Sequence, residues 1–151
     1  MTPFQEKLLS ANRLEIIGEV NRAMAMYVRE AILLKVSDGS PSLVVHVSSN
    51  GGDGWYGLNI FDLLKFYTGR KVAVVHGVAQ SAAATILQAC DWRTITPNSS
   101  VLIHNSTHSN LVIEDINDSE ECQNFLEQVR RVNNRKLDIY STRTGRPVNE
   151  I

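Results

Sequence analysis

The chain has 151 residues, 43% of them hydrophobic, which is enough for one globular domain with a sizeable core. Its 15 basic residues nearly balance its 16 acidic ones, so the composition indicates no nucleic-acid-binding surface. Because no apolar run approaches the length of a membrane span and the first residues lack a signal-peptide pattern, we expect a soluble cytoplasmic protein that contacts no membrane.

Apolar strand-like runs alternate with helical patterns, which predicts stacked β-α units around a mostly parallel sheet. A first strand is predicted at 14–17, and Asn21 can cap a helix that runs to about Lys35 before the breaker segment at 38–41. The apolar positions predicted on one face of that helix are Ala25, Val28, Ile32 and Val36.

The next predicted elements are a strand at 43–47, a helix at 55–67, a strand at 72–75, a helix at 82–90 and short strands at 94–96 and 101–104. An extended segment at 111–116 and a long helix at 119–144 follow, and Gly145 ends that helix. There are no internal repeats and no low-complexity linker.

One hydroxyl stands where the strand at 72–75 passes into a helix of small residues. This residue is Ser81, in the segment from Gly77 to Ala84. A serine at such a turn has its Oγ lifted away from the backbone, beside the unpaired N–H groups of the helix, which suits a nucleophile. The alternative is that Ser81 only caps the helix.

A histidine, His104, ends another apolar run that begins after Pro97, Asn98 and Ser99. Serine and histidine are the nucleophile and base of acyl transfer, so the two positions together favour that chemistry. His76, immediately before Gly77, is the rival candidate for the base.

The remaining histidines and the cysteines favour structural roles. His46 lies inside an apolar strand and is interpreted as a core histidine, and His108 lies in a loop. Cys90 and Cys122 are too few for a disulfide framework and fit buried free thiols in a reducing compartment. No paired histidine or cysteine spacing indicates a metal site, and no cofactor is expected.

A third segment runs from Ser48 to Gly54 and contains the pair Gly51-Gly52 between a strand and a helix. Paired glycines there allow backbone N–H groups to approach a bound group closely. On its own the pattern is equally typical of a tight turn.

Together and in this order, the three segments resemble the ClpP family, the serine-peptidase subunits of Clp proteases. The family's Pro-Gly-Gly-Ser turn appears here as Asn50-Gly51-Gly52-Asp53. Its Gly-x-Ala-Ser-Met-Gly-Ala elbow fits 77–84, and its Pro-Asn-Ser-x-x-Met-Ile-His-Gln-Pro stretch fits 97–106. The likeness runs from about Leu8 to Ile151, and a divergent or phage-type member is one form it allows.

The resemblance implies a ClpP/crotonase-like α/β fold, in which the segment at 111–116 and the long helix form a handle that interlocks subunits. It implies Ser81 as nucleophile, His104 as base, and the backbone amides of Gly52 and Ala82 as the oxyanion hole. Two positions depart from the family: Ala82 replaces a bulky methionine, and Gln80 replaces a small residue.

The acid of the triad is not assigned. The family's aspartate would fall just beyond Ile151, so the chain is interpreted as a single peptidase domain, 1–151, that lacks the family's C-terminal end. The carboxylates of Asp115, Asp118 and Glu150 do not match the family position.

The function implied by the resemblance is that of a serine endopeptidase subunit that cleaves extended peptides or unfolded protein through an acyl-enzyme. The family implies a homo-oligomeric ring and an ATP-dependent unfoldase as partner. Two alternatives are a non-catalytic ring subunit and a crotonase-fold acyl-CoA enzyme.

Overall fold

The computed structural model describes residues 1–104 and 119–151. They form two compact units, Met1–Ile103 and His104–Ile151. The extended segment predicted at 111–116 lies outside the described residues, as do His108, Asp115 and Asp118.

The first unit alternates helices and strands. Its elements are α1 (Pro3–Ser10), β1 (Arg13–Val20), α2 (Arg22–Ser37), β2 (Leu43–Gly52), α3 (Gly54–Phe66), β3 (Lys71–Gln80), α4 (Ala82–Leu87), β4 (Trp92–Ile95) and β5 (Ser100–Leu102). The strands form one five-stranded sheet in the order β1-β2-β3-β4, with β5 also pairing with β3. All the pairings are parallel, which confirms the predicted α/β class.

The core lies on the face of the sheet that the helices cover. Side chains alternate along β2, where Leu43, Val45 and Val47 are buried, while Val44 and His46 on the other face are half-buried. On the helical side, the buried residues of α2 are Ala25, Val28, Ala31, Ile32 and Lys35. Val36, predicted on that face, is 38% exposed, so that assignment was wrong.

The ends of the helices and strands include one confirmed prediction and several that the sequence did not give. The Asn21 side chain accepts a hydrogen bond from the Met24 backbone N–H and caps α2, as predicted. Helix α1 was not predicted, although the Thr2 and Gln5 side chains form a capping box around its start. Strands β2 and β3 continue through Gly52 and Gln80, beyond their apolar runs.

At the opposite end of the sheet from the glycine pair, a buried ammonium joins α3 to β3. Lys71 Nζ donates to the backbone oxygens of Tyr67 at 3.0 Å and Gly69 at 2.9 Å, and it lies 3.4 Å from Asp91 Oδ2. The Tyr67 hydroxyl donates to the Pro41 carbonyl. These contacts satisfy the polar groups that the turn before β3 would otherwise bury.

The second unit contains the long helix α5 (Ser119–Thr144) and a 3-10 turn, Val148–Glu150. The bounds of α5 are those predicted, and Gly145, with φ +71°, ends it. In the described ranges 1–104 and 119–151, no helix is both long and apolar enough to cross a membrane.

Candidate active site

Ser81 stands at a sharp turn between β3 and α4, with φ +52° and ψ −120°. A non-glycine residue at positive φ costs of order 1–3 kcal/mol and persists only where its surroundings hold it. Its backbone N–H donates to the Leu102 oxygen at 2.9 Å, so β5 holds the turn from one side. The predicted strand-to-helix elbow is therefore present, and its backbone is strained.

The Ser81 hydroxyl is not used as a cap. Within the described residues, the side chain makes no capping hydrogen bond to α4, although it occupies the N-cap position. A serine retained only as a cap would adopt extended backbone and accept from the first turn. The geometry is therefore not that of a serine retained only as a helix cap.

The glycine pair packs directly against this elbow. At Gly51, with φ +92°, an added Cβ would lie 2.6 Å from the Gln80 oxygen, 2.8 Å from Ser81 Cβ and 3.1 Å from the Ala82 nitrogen. Only a residue without a side chain allows the turn to come so close to the elbow. The structure thus brings together two of the three segments that the sequence singled out.

The two predicted oxyanion donors, the Gly52 and Ala82 amides, belong to the two segments that meet in this contact. Gly52 is exposed at φ +146°, and an added Cβ would collide with the Val20 backbone. Ala82 is the first residue of α4, whose amide has no acceptor within the helix. Close packing of α3 against Ala82 requires the glycine at position 57, where an added Cβ would lie 2.8 Å from Ala82 Cβ.

Two polar side chains next to the glycine pair, which were not predicted from the sequence, hold the backbone on either side of it. The Ser49 hydroxyl is buried and accepts a hydrogen bond from the Gly51 N–H at 3.0 Å. The Asp53 carboxylate caps α3 by accepting from the backbone amides of Trp55 at 2.8 Å and Tyr56 at 3.1 Å. An aspartate directly before a helical pattern is a capping signal that could have identified the second of them.

The rival base, His76, is paired with the predicted core histidine. His76 Nε2 lies 3.1 Å from His46 Nδ1, and the two rings stack with centroids 5.3 Å apart. His46 Nε2 is buried and has no hydrogen-bond partner among the described residues. At a buried ring nitrogen, a lone pair without a hydrogen-bond partner costs less free energy than an N–H without one. We therefore assign the proton to His46 Nδ1, which donates to His76. His76 Nε2 is then occupied as an acceptor.

This pair predicts a loss of stability in mild acid. Burial lowers the pKa of His46, the neighbouring His76 and Arg13 lower it further, and Glu15 opposes them. The unfolded chain then binds more protons than the folded one, so the free energy of unfolding should decrease as the pH falls below about 6.5.

Thermal unfolding across a pH series checks this expectation. His46→Phe should flatten the change in melting temperature between about pH 6.5 and pH 5, because it removes the half-buried imidazole whose pKa is lowered. His76→Phe is the matched control and should keep most of the change, since burial is the largest cause of the shift. An unchanged pH dependence in His46→Phe would rule out this histidine as the source.

The predicted base, His104, is the first residue of the second unit. Its backbone oxygen accepts a hydrogen bond at 3.1 Å from Nζ of Lys136, which is only 5% exposed. Burial lowers the pKa of Lys136. This contact anchors the His104 backbone to α5 and leaves its imidazole out of the interaction.

The described residues contain no group of three or more side chains suited to holding a metal ion. Cys90 is buried and Cys122 half-buried, and neither forms a disulfide bond among the described residues.

A parallel sheet whose strand β3 ends in a strained serine elbow, packed against a Gly-Gly turn, defines an α/β protein with the ClpP-like fold. A solved structure of a ClpP1 mutant from Listeria monocytogenes matches with a TM-score of 0.82 and 24% identity, covering 97% of this chain and 80% of that one. The match shows the shared fold and confirms the predicted architecture.

The sequence comparisons identify the family. An ATP-dependent Clp protease proteolytic subunit 2 from Treponema denticola is 30% identical over 102 residues, 66% of this chain and 51% of the relative. An ATP-dependent Clp protease proteolytic subunit from Pleurastrum terricola is 27% identical over 151 residues, 98% of this chain and 72% of the relative. A profile of the Clp protease family matches residues 2–151, so the chain belongs to the Clp protease family. It spans about half the length of the first of these relatives.

Proposed function

We propose that the chain is a serine endopeptidase subunit and that Ser81 is its nucleophile. The observation that carries the proposal is the strained backbone of Ser81, which lies against the Gly51-Gly52 turn. The Ser81 hydroxyl does not cap α4. Strain of this kind is concentrated at functional sites because it holds a reactive group in a fixed direction.

In the proposed reaction, Ser81 Oγ attacks the carbonyl carbon of a peptide bond while His104 accepts the hydroxyl proton. The negative charge that develops on the carbonyl oxygen is stabilised by the Gly52 and Ala82 amides. The C–N bond then breaks, His104 returns the proton to the departing amine, and the peptide's acyl half remains as an ester on Ser81. Water, deprotonated by the same histidine, hydrolyses that ester.

The substrate in this proposal is an extended peptide or unfolded protein, bound as an added strand beside the glycine turn. We further propose a cytoplasmic homo-oligomeric ring of 1–151 peptidase domains, supplied with substrate by an ATP-dependent unfoldase. Support comes from the relatives, which are named proteolytic subunits of ATP-dependent Clp proteases.

The proposal is tested with a fluorophosphonate probe, which forms a covalent bond with an activated serine. Ser81 should be the modified residue when the labelled protein is digested and mapped by mass spectrometry, and Ser81→Ala should not react. Ser37→Ala is a matched control, because it removes an exposed hydroxyl at the end of α2 and retains both the nucleophile and the glycine turn. Labelling of the Ser81→Ala protein at an unchanged rate would overturn the assignment, and the absence of any labelling would favour a non-catalytic subunit.

A further inference from the structure

Strand β3 changes partners just before it reaches the elbow. Its first half pairs with β4 as far as Val75, opposite Ile95, and its last residues pair with β5 from Val78, opposite Ser100. Gly77 lies between the two registers with φ +82°. A glycine at positive φ without a ladder partner is a point where a strand bends easily.

At this break in the strand pairing, the hydroxyl groups of Ser99 and Thr96 form hydrogen bonds with the backbone of β3. Ser99 Oγ accepts a hydrogen bond from the Gly77 N–H at 2.7 Å and lies 3.2 Å from the Val75 oxygen and 2.5 Å from Thr96 Oγ1. Thr96 adds a backbone bond, since its N–H donates to the Val75 oxygen at 3.2 Å. We call this cluster of Ser99, Thr96 and Gly77 the hydroxyl clasp.

The contacts of the hydroxyl clasp allow two arrangements of its hydroxyl protons, and both use the Ser99 oxygen as an acceptor for Gly77. Ser99 Oγ has a single proton and two lone pairs, and the Gly77 N–H must use one lone pair. The Thr96 and Ser99 hydroxyls both lie within hydrogen-bond distance of the Val75 oxygen, at 3.3 Å and 3.2 Å, so either one can donate to that oxygen while the other donates across the 2.5 Å contact between them. In both arrangements Ser99 Oγ accepts from the Gly77 N–H and bonds to Thr96 Oγ1, so a residue without a hydroxyl at this position would lose both contacts.

We propose that Ser99 is a positioning residue for Ser81, an inference that rests on the proposed function. The hydroxyl clasp sets the angle between the two halves of β3, and the second half carries the elbow. Beyond the change of register in the β2–β3 pairing, only Ser49 and Ala79 remain opposite each other, so β2 holds that half weakly. Without the clasp, Ser81 can shift relative to the Gly51-Gly52 turn on β2.

Removing the Ser99 hydroxyl should slow the labelling of Ser81 by about 10–100-fold, because displacements of about 1 Å at a reacting group have effects of that size. Ser99→Thr restores a hydroxyl at the same position and should recover the labelling rate. Tyr67→Phe is the matched control: it also removes a hydroxyl that bonds to a backbone carbonyl, at the far end of the sheet. It should lower the melting temperature and leave labelling unchanged when measured well below melting.

Hydrogen exchange at the Gly77 amide provides a readout that does not depend on activity. In Ser99→Ala this amide should exchange faster, while the amides of the β2–β3 pairing before the bulge keep their protection. Faster exchange together with slower labelling supports the proposal. Labelling at the wild-type rate in Ser99→Ala, or protection of Gly77 that does not change, overturns it. If the wild-type protein is labelled at no serine, the proposed function fails, and Gly77 exchange still decides whether the hydroxyl clasp holds the strand.

Discussion

Replacing His104 by alanine should lower the hydrolysis of a small activated ester by about 10²–10⁴-fold, the usual contribution of a general base. The alanine variant keeps the backbone oxygen that accepts the hydrogen bond from Lys136, so the local backbone contact is preserved. The loss would therefore report the imidazole itself. Initial rates of ester hydrolysis measure the effect, with circular dichroism to verify the fold.

The matched control for His104 is His76→Ala. His76 is exposed and paired with His46, so its removal should leave the rate of ester hydrolysis nearly unchanged. If His76→Ala abolished hydrolysis and His104→Ala did not, the base would be the histidine beside Gly77, and the site proposed from the family resemblance would be wrong.

Gly51→Ala should reduce the rate of Ser81 labelling by about 10²-fold or more, since the elbow or the turn must move to admit the new side chain. The added Cβ would meet the Gln80 oxygen at 2.6 Å and Ser81 Cβ at 2.8 Å, and backbone atoms cannot rotate out of the way. The positive φ of Gly51 adds about 1–2 kcal/mol of strain for any residue with a Cβ. Both terms should also lower the melting temperature.

The variant Gly39→Ala separates the effect of the steric collision from the effect of backbone strain at positive φ. Gly39 has a similar φ of +83°, but an added Cβ there meets nothing within 4 Å. The variant should lose stability through backbone strain alone and keep the wild-type labelling rate. If Gly51→Ala were labelled as fast as Gly39→Ala, close packing between the turn and the elbow would have no part in holding Ser81.

Much of the fold follows from local patterns in the sequence. The apolar runs at 43–47 and 72–75 mark the buried parts of β2 and β3, and the Asn21 cap marks the start of α2. The strand ends were underestimated because residues such as Gln80 are polar and join the sheet only through backbone pairing with β5. A hydrophobic pattern carries no signal for such residues.

The candidate nucleophile was also accessible from the sequence, since a serine between an apolar strand and a run of alanines is a recognisable local arrangement. The strain at Ser81 and the contact with Gly51 were not accessible in this way. They depend on backbone atoms of β2 and β3 that meet only when the sheet forms.

Local patterns in the sequence established the α/β class, the order of the strands and main helices from β1 onward, and the three segments on which the family resemblance depends. These properties depend on periodicity and on residue types close together in the chain, which a single sequence displays directly. The tertiary structure alone decided that Ser99 bonds to Gly77, that Ser49 holds Gly51, and that His46 and His76 form a pair. Of these contacts, those of Ser99 and of the histidines join residues far apart in the chain, and that of Ser49 depends on a turn shaped by its neighbours. Each requires a hydrogen-bonding direction that only the packed backbone supplies.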